Sequence, residues 1–120
     1  MTDTKDILAL TRQSHPAGPI LLCVAGELDH YTGPRLSEAI DELPFGSGTD
    51  VVIDLSALEY CDSTGLSLLI TAHHRAEAAG SSLSFAGPSP ELARVFAIVG
   101  LDQVFTLHAS VERAVEALVR

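Results

Sequence analysis

The stretch "VVIDLSALEYCDSTGLSLLI", residues 51–70, decides how the chain folds. Its first five residues, Val51–Leu55, form an apolar run typical of a strand buried inside a sheet. A second apolar segment starts near Ser63 and ends at Gly80, and its spacing predicts a helix. Residues Ser56–Asp62 are interpreted as the connection between the two. A buried strand followed by a helix indicates an α/β fold.

A hairpin and a helix are predicted upstream of this stretch. The strands are Ile7–Thr11 and Pro19–Leu28, and the turn at Ser14–Gly18 makes them antiparallel. Thr32 is the expected N-cap of the helix that follows. The core stripe of that helix has the spacing i, i+3, i+4, i+7 and consists of Leu36, Ala39, Ile40 and Leu43.

Downstream, the chain alternates between strands and helices. Strands are expected at Ser81–Gly87 and Gln103–Leu107. One helix has Ser89 as its N-cap and Gly100 as its stop, and the last helix is capped by Ser110. The expected core residues are Leu66, Leu69, Ile70, His73, Ala76 and Glu77 in the central helix, Leu92, Val95, Phe96 and Val99 in the next, and Val111, Ala114, Val115 and Leu118 in the last. The pattern predicts a small mixed sheet, mainly parallel after the N-terminal antiparallel hairpin, covered by four helices in a single domain of residues 1–120.

Composition restricts the classes of partner. The chain has 120 residues, a formal net charge of −9 at pH 7 and one lysine, Lys5. Such an acidic surface repels phosphate backbones and anionic lipids, so we expect no direct nucleic-acid partner and no membrane partner. No stretch reaches the ~18 apolar residues that a membrane span needs, and the N-terminus does not have the pattern of a secretory signal. Because Cys23 and Cys61 are the only cysteines, we expect a cytoplasmic protein rather than a disulfide framework.

Several chemistries are disfavoured by single positions. A nucleophile elbow has the pattern G-x-S-x-G, but Cys61 stands where the first glycine belongs, which argues against a hydrolase. A phosphoaspartate site at Asp54 needs a lysine after a late strand, and the only lysine is Lys5. No P-loop motif is present. His73 and His74 diverge around their helix and no C-x-x-C pair occurs, so no metal and no cofactor are expected.

Ser63 has three candidate roles on local pattern: helix cap, nucleophile, or a hydroxyl displayed for modification. Asp and Ser are both common N-caps, and Ser63 follows Asp62 directly before the apolar helix. The same turn lies at the carboxyl end of a sheet strand, where open α/β sheets place functional loops. The loop Gly26–Pro34 also follows a strand, so the two loops are expected on one face. Asp29 and Asp62 could form a paired-carboxylate site, but we favour the interpretation that both are solvated acidic side chains in loops.

Three segments resemble one known family. "GELDHYT" (Gly26–Thr32), "VVIDLSALEYCDSTGL" (Val51–Leu66) and "GLDQVF" (Gly100–Phe105) are similar to the anti-sigma factor antagonists, the bacterial STAS-domain proteins. The similarity runs from about Leu8 to Leu118 in the same element order. The motif D-S-[ST]-G-L after a buried strand is its most specific part. The resemblance implies the STAS fold.

The resemblance also implies a switch. In that family the serine after the motif aspartate is phosphorylated by a cognate anti-sigma factor that is itself a serine kinase. The matching residue is Ser63, and Thr64 is a second candidate acceptor. The unphosphorylated antagonist binds the kinase, and a sigma factor is thereby released. The phosphorylated antagonist dissociates from the kinase, and a serine phosphatase removes the phosphate. The chain would then be a kinase substrate and not an enzyme. The alternative is a STAS docking subunit of a stress-signalling or transporter-associated complex without the phospho-switch.

A partner-binding surface around Ser63 is implied in the same way. Its expected members are Asp29, His30, Asp62, Ser63, Thr64, Gly65 and Leu66, with Pro88–Pro90 as a further contact. Ser67 departs from the glycine that many relatives carry and adds a second hydroxyl one turn into the helix. Gly65 has two open interpretations: a glycine tolerated in a first helical turn, or a place where the kinase approaches the backbone closely.

Overall fold

The computed structural model describes residues 7–118, which form six strands, four α-helices and one short 3-10 helix at Leu101–Gln103. The strands and helices, in chain order, are β1 (Leu8–Ser14), β2 (Ile20–Leu28), α1 (Gly33–Asp41), β3 (Asp50–Asp54), β4 (Leu58–Cys61), α2 (Ser63–Ala79), β5 (Ser82–Ala86), α3 (Pro90–Val99), β6 (Leu107–His108) and α4 (Val111–Leu118). The predicted mixed sheet with four helices is confirmed.

The strands form one sheet in the order β1-β2-β3-β5-β6, in which β1 and β2 are antiparallel and the other pairs are parallel. The edge of β2 opposite β1 is shared by two strands in succession. Its first half, Ile20–Cys23, pairs with β3, and its last three residues pair with β4. A register shift between Gly26 and Glu27 lies within the pairing with β4. The long strand β2 therefore ends at the same edge of the sheet as β4.

The two faces of the sheet are covered unequally. The larger core combines inward residues such as Leu22, Ile53 and Phe85 with α1, α2 and α3. The alternate strand residues point to the other face, because successive side chains of a strand point to opposite sides. There Leu21, Val52 and Ala86 pack against Ala114 of α4. The inward stripe predicted for the last helix, Val111 to Leu118, is confirmed.

Two strand predictions are corrected. The connection Ser56–Asp62 contains β4, which the pattern hides because Glu59 and Tyr60 are both exposed and only Leu58 is buried. The strand predicted at Gln103–Leu107 is reduced to β6, preceded by the 3-10 helix. Phe105 is buried by its aromatic neighbours and not by strand pairing, since its ring lies 4.4 Å from Phe85 and 5.5 Å from Phe96 (ring centroids).

Three core assignments in the helices are also wrong. In α3 only Leu92 and Phe96 are buried, while Val95 and Val99 are exposed, because a single i, i+4 ridge of this helix meets the core. In the second half of α2 the buried residues are Ala72 and Ala76, whereas Glu77 is exposed. Thr32 is the N-cap residue of α1, as expected, but its side chain makes no capping hydrogen bond. Helical spacing identifies a candidate stripe, whereas the packing partner decides its width.

The Ser84 hydroxyl on β5 is buried without a hydrogen-bond partner among the described residues. An unsatisfied buried hydroxyl costs roughly 1–3 kcal/mol, so we expect Ser84→Ala to raise the free energy of unfolding by about 1 kcal/mol. Urea denaturation of both proteins measures this change. Ser82→Ala is the matched control, since Ser82 is exposed on the same strand and its change is expected to stay within about 0.5 kcal/mol. Destabilisation by Ser84→Ala would mean that the hydroxyl has a partner.

Candidate functional site

The site lies where β2 and β4 end side by side. The register pairs Leu28 with Cys61, and the Asp62 N–H donates to the Leu28 carbonyl at 3.2 Å. Asp29 and Asp62 therefore leave two neighbouring parallel strands at the same edge of the sheet. The expectation that both loops share one face is confirmed, with the difference that the second loop follows β4 and not Val51–Leu55.

The N-cap of α2 is Asp62. Its backbone is extended (φ −96°, ψ −171°), and its Oδ1 accepts a hydrogen bond from the Gly65 N–H at 3.1 Å. Ser63 is consequently the first residue of the helix, and its side chain is exposed. Among residues 7–118 the Ser63 hydroxyl has no hydrogen-bond partner. The capping role that the local pattern offers Ser63 belongs to Asp62, which leaves the Ser63 hydroxyl free to point at solvent.

The next three residues are all less accessible than Ser63. Thr64 is half-buried, and its methyl group lies beside Gly33, at the start of α1. Gly65 is buried, and Leu66 is half-buried against the main core. Ser67 is exposed one turn further along α2. The Ser63 hydroxyl is therefore the most accessible of the groups in the D-S-T-G-L motif.

Hydrogen bonds within the loop hold the end of β2 in one shape. Asp29 Oδ1 accepts from the N–H groups of Tyr31 (2.8 Å) and Thr32 (3.0 Å). The Thr32 hydroxyl is buried, donates to the Glu27 carbonyl at 3.0 Å and accepts from the Asp29 N–H at 2.9 Å. The hydrogen bond from the Thr32 backbone is the main reason why the pKa of Asp29 is lowered. Asp29 is thus ionised at neutral pH and holds the loop together.

Two exposed aromatic side chains at this edge were not among the predicted site residues. Tyr31 is 83% exposed, and its ring meets that of His30 edge-on at 5.4 Å. Tyr60, on β4, is 54% exposed. They are the only two tyrosines of the chain, and both lie within the segments that resemble the family. Their position in those segments could have identified them from the sequence. Tyrosine is enriched at protein–protein interfaces, so these two exposed rings favour a protein-binding surface at this edge.

Cys61 does not supply a nucleophile to the site. Burial, and after it the negative charge of Asp62, raises the pKa of the Cys61 thiol to about 12. The thiol is therefore protonated at neutral pH and acts as an apolar filler between β4 and α2. Within residues 7–118 no group of three or more His, Cys, Asp or Glu side chains is arranged to hold a metal ion. No helix in that part of the chain has the length and apolar character that crossing a bilayer requires.

Gly65 is required by packing inside the molecule. A Cβ atom at this position would lie 2.6 Å from Cys61 Sγ and 2.9 Å from Leu28 Cγ. We expect Gly65→Ala to lower the free energy of unfolding by about 1–2 kcal/mol, because this overpacking outweighs the better helix propensity of alanine. Chemical denaturation is the measurement.

Two further variants separate overpacking from other effects of the added methyl. Gly46→Ala is expected to be nearly neutral, since nothing lies within 4 Å of the position that a Cβ atom would take there. Adding Cys61→Ala to Gly65→Ala removes the sulfur and should recover part of the loss. A loss that is unchanged in the double variant would contradict the contact with Cys61.

The sequence matches the family described as "Mlab, STAS domain" over residues 11–112. The chain belongs to the STAS-domain family of anti-sigma factor antagonists. It is 37% identical over 84 residues to an anti-sigma-B factor antagonist of Listeria monocytogenes, covering 70% of this chain and 74% of that protein. It is 33% identical over 111 residues to the anti-sigma-F factor antagonist RsfB of Mycobacterium tuberculosis, covering 91% of this chain and 88% of that protein.

Solved STAS structures share the fold. An anti-sigma factor antagonist from Mycobacterium paratuberculosis has a TM-score of 0.79 and 28% identity, covering 93% of this chain and 94% of that one. The antagonist SpoIIAA of Bacillus is 24% identical. Its unphosphorylated form has a TM-score of 0.69, covering 92% of this chain and 96% of that one. Its phosphorylated form has a TM-score of 0.65, covering 92% of this chain and 99% of that one.

Proposed function

We propose that this STAS protein binds an anti-sigma factor that is also a serine kinase, and thereby releases a sigma factor, for as long as Ser63 is unmodified. Phosphorylation of Ser63 ends the binding, and a serine phosphatase restores it. The observation that carries the proposal is the exposed Ser63 hydroxyl, which has no hydrogen-bond partner within residues 7–118 and stands directly after the Asp62 cap. In this cycle the protein is a substrate and a binding partner, not a catalyst.

Accessibility favours Ser63 over the other hydroxyls as the acceptor. A kinase must bring the γ-phosphate of ATP in line with the attacking oxygen, which requires an open approach. Ser63 is exposed, whereas Thr64 is half-buried with its methyl group beside Gly33. Ser67 is exposed but lies about 6 Å further along the axis, at a rise of 1.5 Å per residue, away from the helix terminus. Ser63 is therefore the proposed acceptor and Thr64 the second candidate.

The helix terminus is suited to carry a phosphate without refolding. The backbone N–H groups of Ser63 and Thr64 have no acceptor among the described residues, since Asp62 Oδ1 takes the Gly65 N–H. Free N–H groups and the helix dipole favour negative charge at this end. The fold is also the one that SpoIIAA keeps in its phosphorylated form. The proposed switch is accordingly a local change of charge on a rigid domain.

The proposed docking surface surrounds this hydroxyl. It comprises His30 and Tyr31 on the loop after β2, Asp62 at the end of β4, and Thr64 and the partly buried Leu66 in the first turn of α2. Asp29 contributes by fixing the loop through its hydrogen bonds to the Tyr31 and Thr32 N–H groups. Gly65 contributes by allowing α2 to approach Leu28 and Cys61 closely. Each contact residue thus has either an exposed group or a positioning role.

Intact-mass spectrometry tests the proposal. The wild-type protein and Ser63→Ala are each incubated with ATP and with every purified anti-sigma factor kinase of the host. One added phosphate on the wild type that is absent from Ser63→Ala is the expected result. A phosphate retained by Ser63→Ala but lost in Thr64→Ala would move the acceptor to Thr64. No phosphate on folded wild type with any of these kinases would favour the alternative, a STAS docking subunit without the switch.

A further inference from the structure

A groove lies next to the Ser63 site, between β4 and α3. Its volume is about 160 Å³. The floor is apolar, and the rim carries two carboxylates and one aromatic ring. The floor is formed by the buried Leu58 and Leu92, with the partly exposed Val95 beside them, and the exposed Glu59, Tyr60 and Glu91 form the rim. Cys61 also lines the groove and directly precedes the Asp62 cap, so the groove is continuous with the docking surface proposed above.

The face of α3 beside this groove is apolar and uncovered. Val95 is 37% exposed, Ile98 75% and Val99 55%. These three residues have the i, i+3, i+4 spacing of one helix face, and no described residue of the chain covers them. Contiguous exposed apolar surface of this kind marks an interaction site more often than isolated exposed residues do.

The size of the groove restricts its occupant. Pockets for cofactors and drug-sized ligands are roughly 300–1,000 Å³, whereas a cavity of roughly 150 Å³ accepts a single benzene ring. A groove of about 160 Å³ therefore suits one side chain of a partner.

The charge around the groove restricts the occupant further. Glu59 and Glu91 are both exposed, and the chain as a whole carries a net charge of −9. A second copy of this chain would bring the same acidic rim and another −9, so charge disfavours self-association here. A cationic side chain with a long apolar stem fits both the floor and the rim.

We propose that the groove seats an arginine of the anti-sigma factor kinase, carried on a segment whose apolar side chains cover the exposed face of α3. The stem of the arginine packs on Leu92 and Val95, and its guanidinium pairs with Glu59 and Glu91. Arginine suits this place better than lysine because its planar group forms forked hydrogen bonds to carboxylates and stacks on an aromatic ring such as Tyr60. This inference rests on the proposed function and names the partner chemistry of the same surface.

Isothermal titration with the kinase that phosphorylates Ser63 tests the inference. The test variant is Glu59→Gln/Glu91→Gln, and the matched control is Glu112→Gln/Glu116→Gln on α4. Both pairs remove two exposed charges, and Glu91 and Glu112 each occupy the first turn of a helix. We expect the test variant to bind at least about tenfold more weakly than wild type, with a shallower dependence on salt. The control should retain wild-type affinity, and all three proteins should still accept one phosphate at saturating kinase.

The outcomes separate this inference from the proposed function. Equal affinity of the test and control variants, whether unchanged or equally weakened, would contradict binding of an arginine in the groove. The proposed function would still hold if the wild type were bound and phosphorylated by the kinase. If the folded wild type neither bound nor was phosphorylated by any anti-sigma factor kinase of the host, the proposed function would fail and the inference with it.

Discussion

Ser63→Asp is expected to weaken binding to the anti-sigma factor kinase by about a hundredfold, which corresponds to ~3 kcal/mol of binding free energy. The substitution places a negative charge on an exposed position next to the Asp62 carboxylate, where the proposed partner surface accommodates a neutral hydroxyl. A phosphate carries about −1.5 to −2 charges, so phosphorylated protein should bind more weakly still. Ser63→Ala keeps the site neutral and should bind as tightly as wild type. Titration calorimetry gives all three affinities.

Two controls show whether the effect is local. Asp in the first turn of α2 suits the helix dipole, so Ser63→Asp should keep the unfolding free energy of the wild type within about 0.5 kcal/mol. Thr71→Asp adds the same charge to an exposed position on the same helix, about 12 Å further along its axis at 1.5 Å per residue. That distance exceeds the Debye length of about 8 Å at physiological salt, so Thr71→Asp should bind nearly as wild type does. Equal weakening by both variants would contradict a switch centred on Ser63.

Gly26→Ala is expected to have the largest effect on stability, a loss of about 3 kcal/mol or more. Gly26 has a φ of +99°, which an L side chain rarely adopts, and a Cβ atom there would collide with the backbone carbonyl oxygen of Ile7. Backbone atoms cannot turn aside as a side chain can. The residue also stands where β2 changes partner from β3 to β4, and its N–H donates to the Ala57 carbonyl at 2.9 Å. Chemical denaturation of the purified variant measures the loss.

Gly18→Ala separates the two causes of that loss. Gly18 has a φ of +121°, but nothing lies within 4 Å of its would-be Cβ. Its substitution should therefore cost only the backbone strain, about 1 kcal/mol. Losses of equal size at both glycines would show that the close approach of Ile7 to Gly26 is not the dominant cost.

The sequence predicted the elements that depend on their own periodicity. The hairpin of β1 and β2, the buried strand β3 and the long helix α2 each carry a pattern that burial produces directly. β4 was missed because its pairing with β2 is made by backbone atoms, and two of its four side chains in succession are exposed. A short strand of this kind has no side-chain alternation to detect.

The sequence predicted that the two loops share one face of the molecule, but it did not assign the N-cap of α2. Asp62 and Ser63 are both good capping residues, so local pattern could not separate them, whereas the extended backbone of Asp62 assigns the cap to it. The exposed face of α3 was predicted as core because Val95 and Val99 have the right spacing. Whether another helix or strand covers a helix face depends on contacts between residues far apart in the chain. The spacing of apolar residues within one helix does not reveal those contacts.

In the proposed switch, one phosphate on Ser63 ends partner binding while the fold is kept. For the most direct measurement, one preparation of the protein is first phosphorylated to one phosphate per chain. Its Kd for the kinase is then measured before and after treatment with a serine phosphatase. We predict at least about a hundredfold tighter binding after dephosphorylation, with the same circular dichroism spectrum in both forms. Equal affinities of the two forms would contradict it.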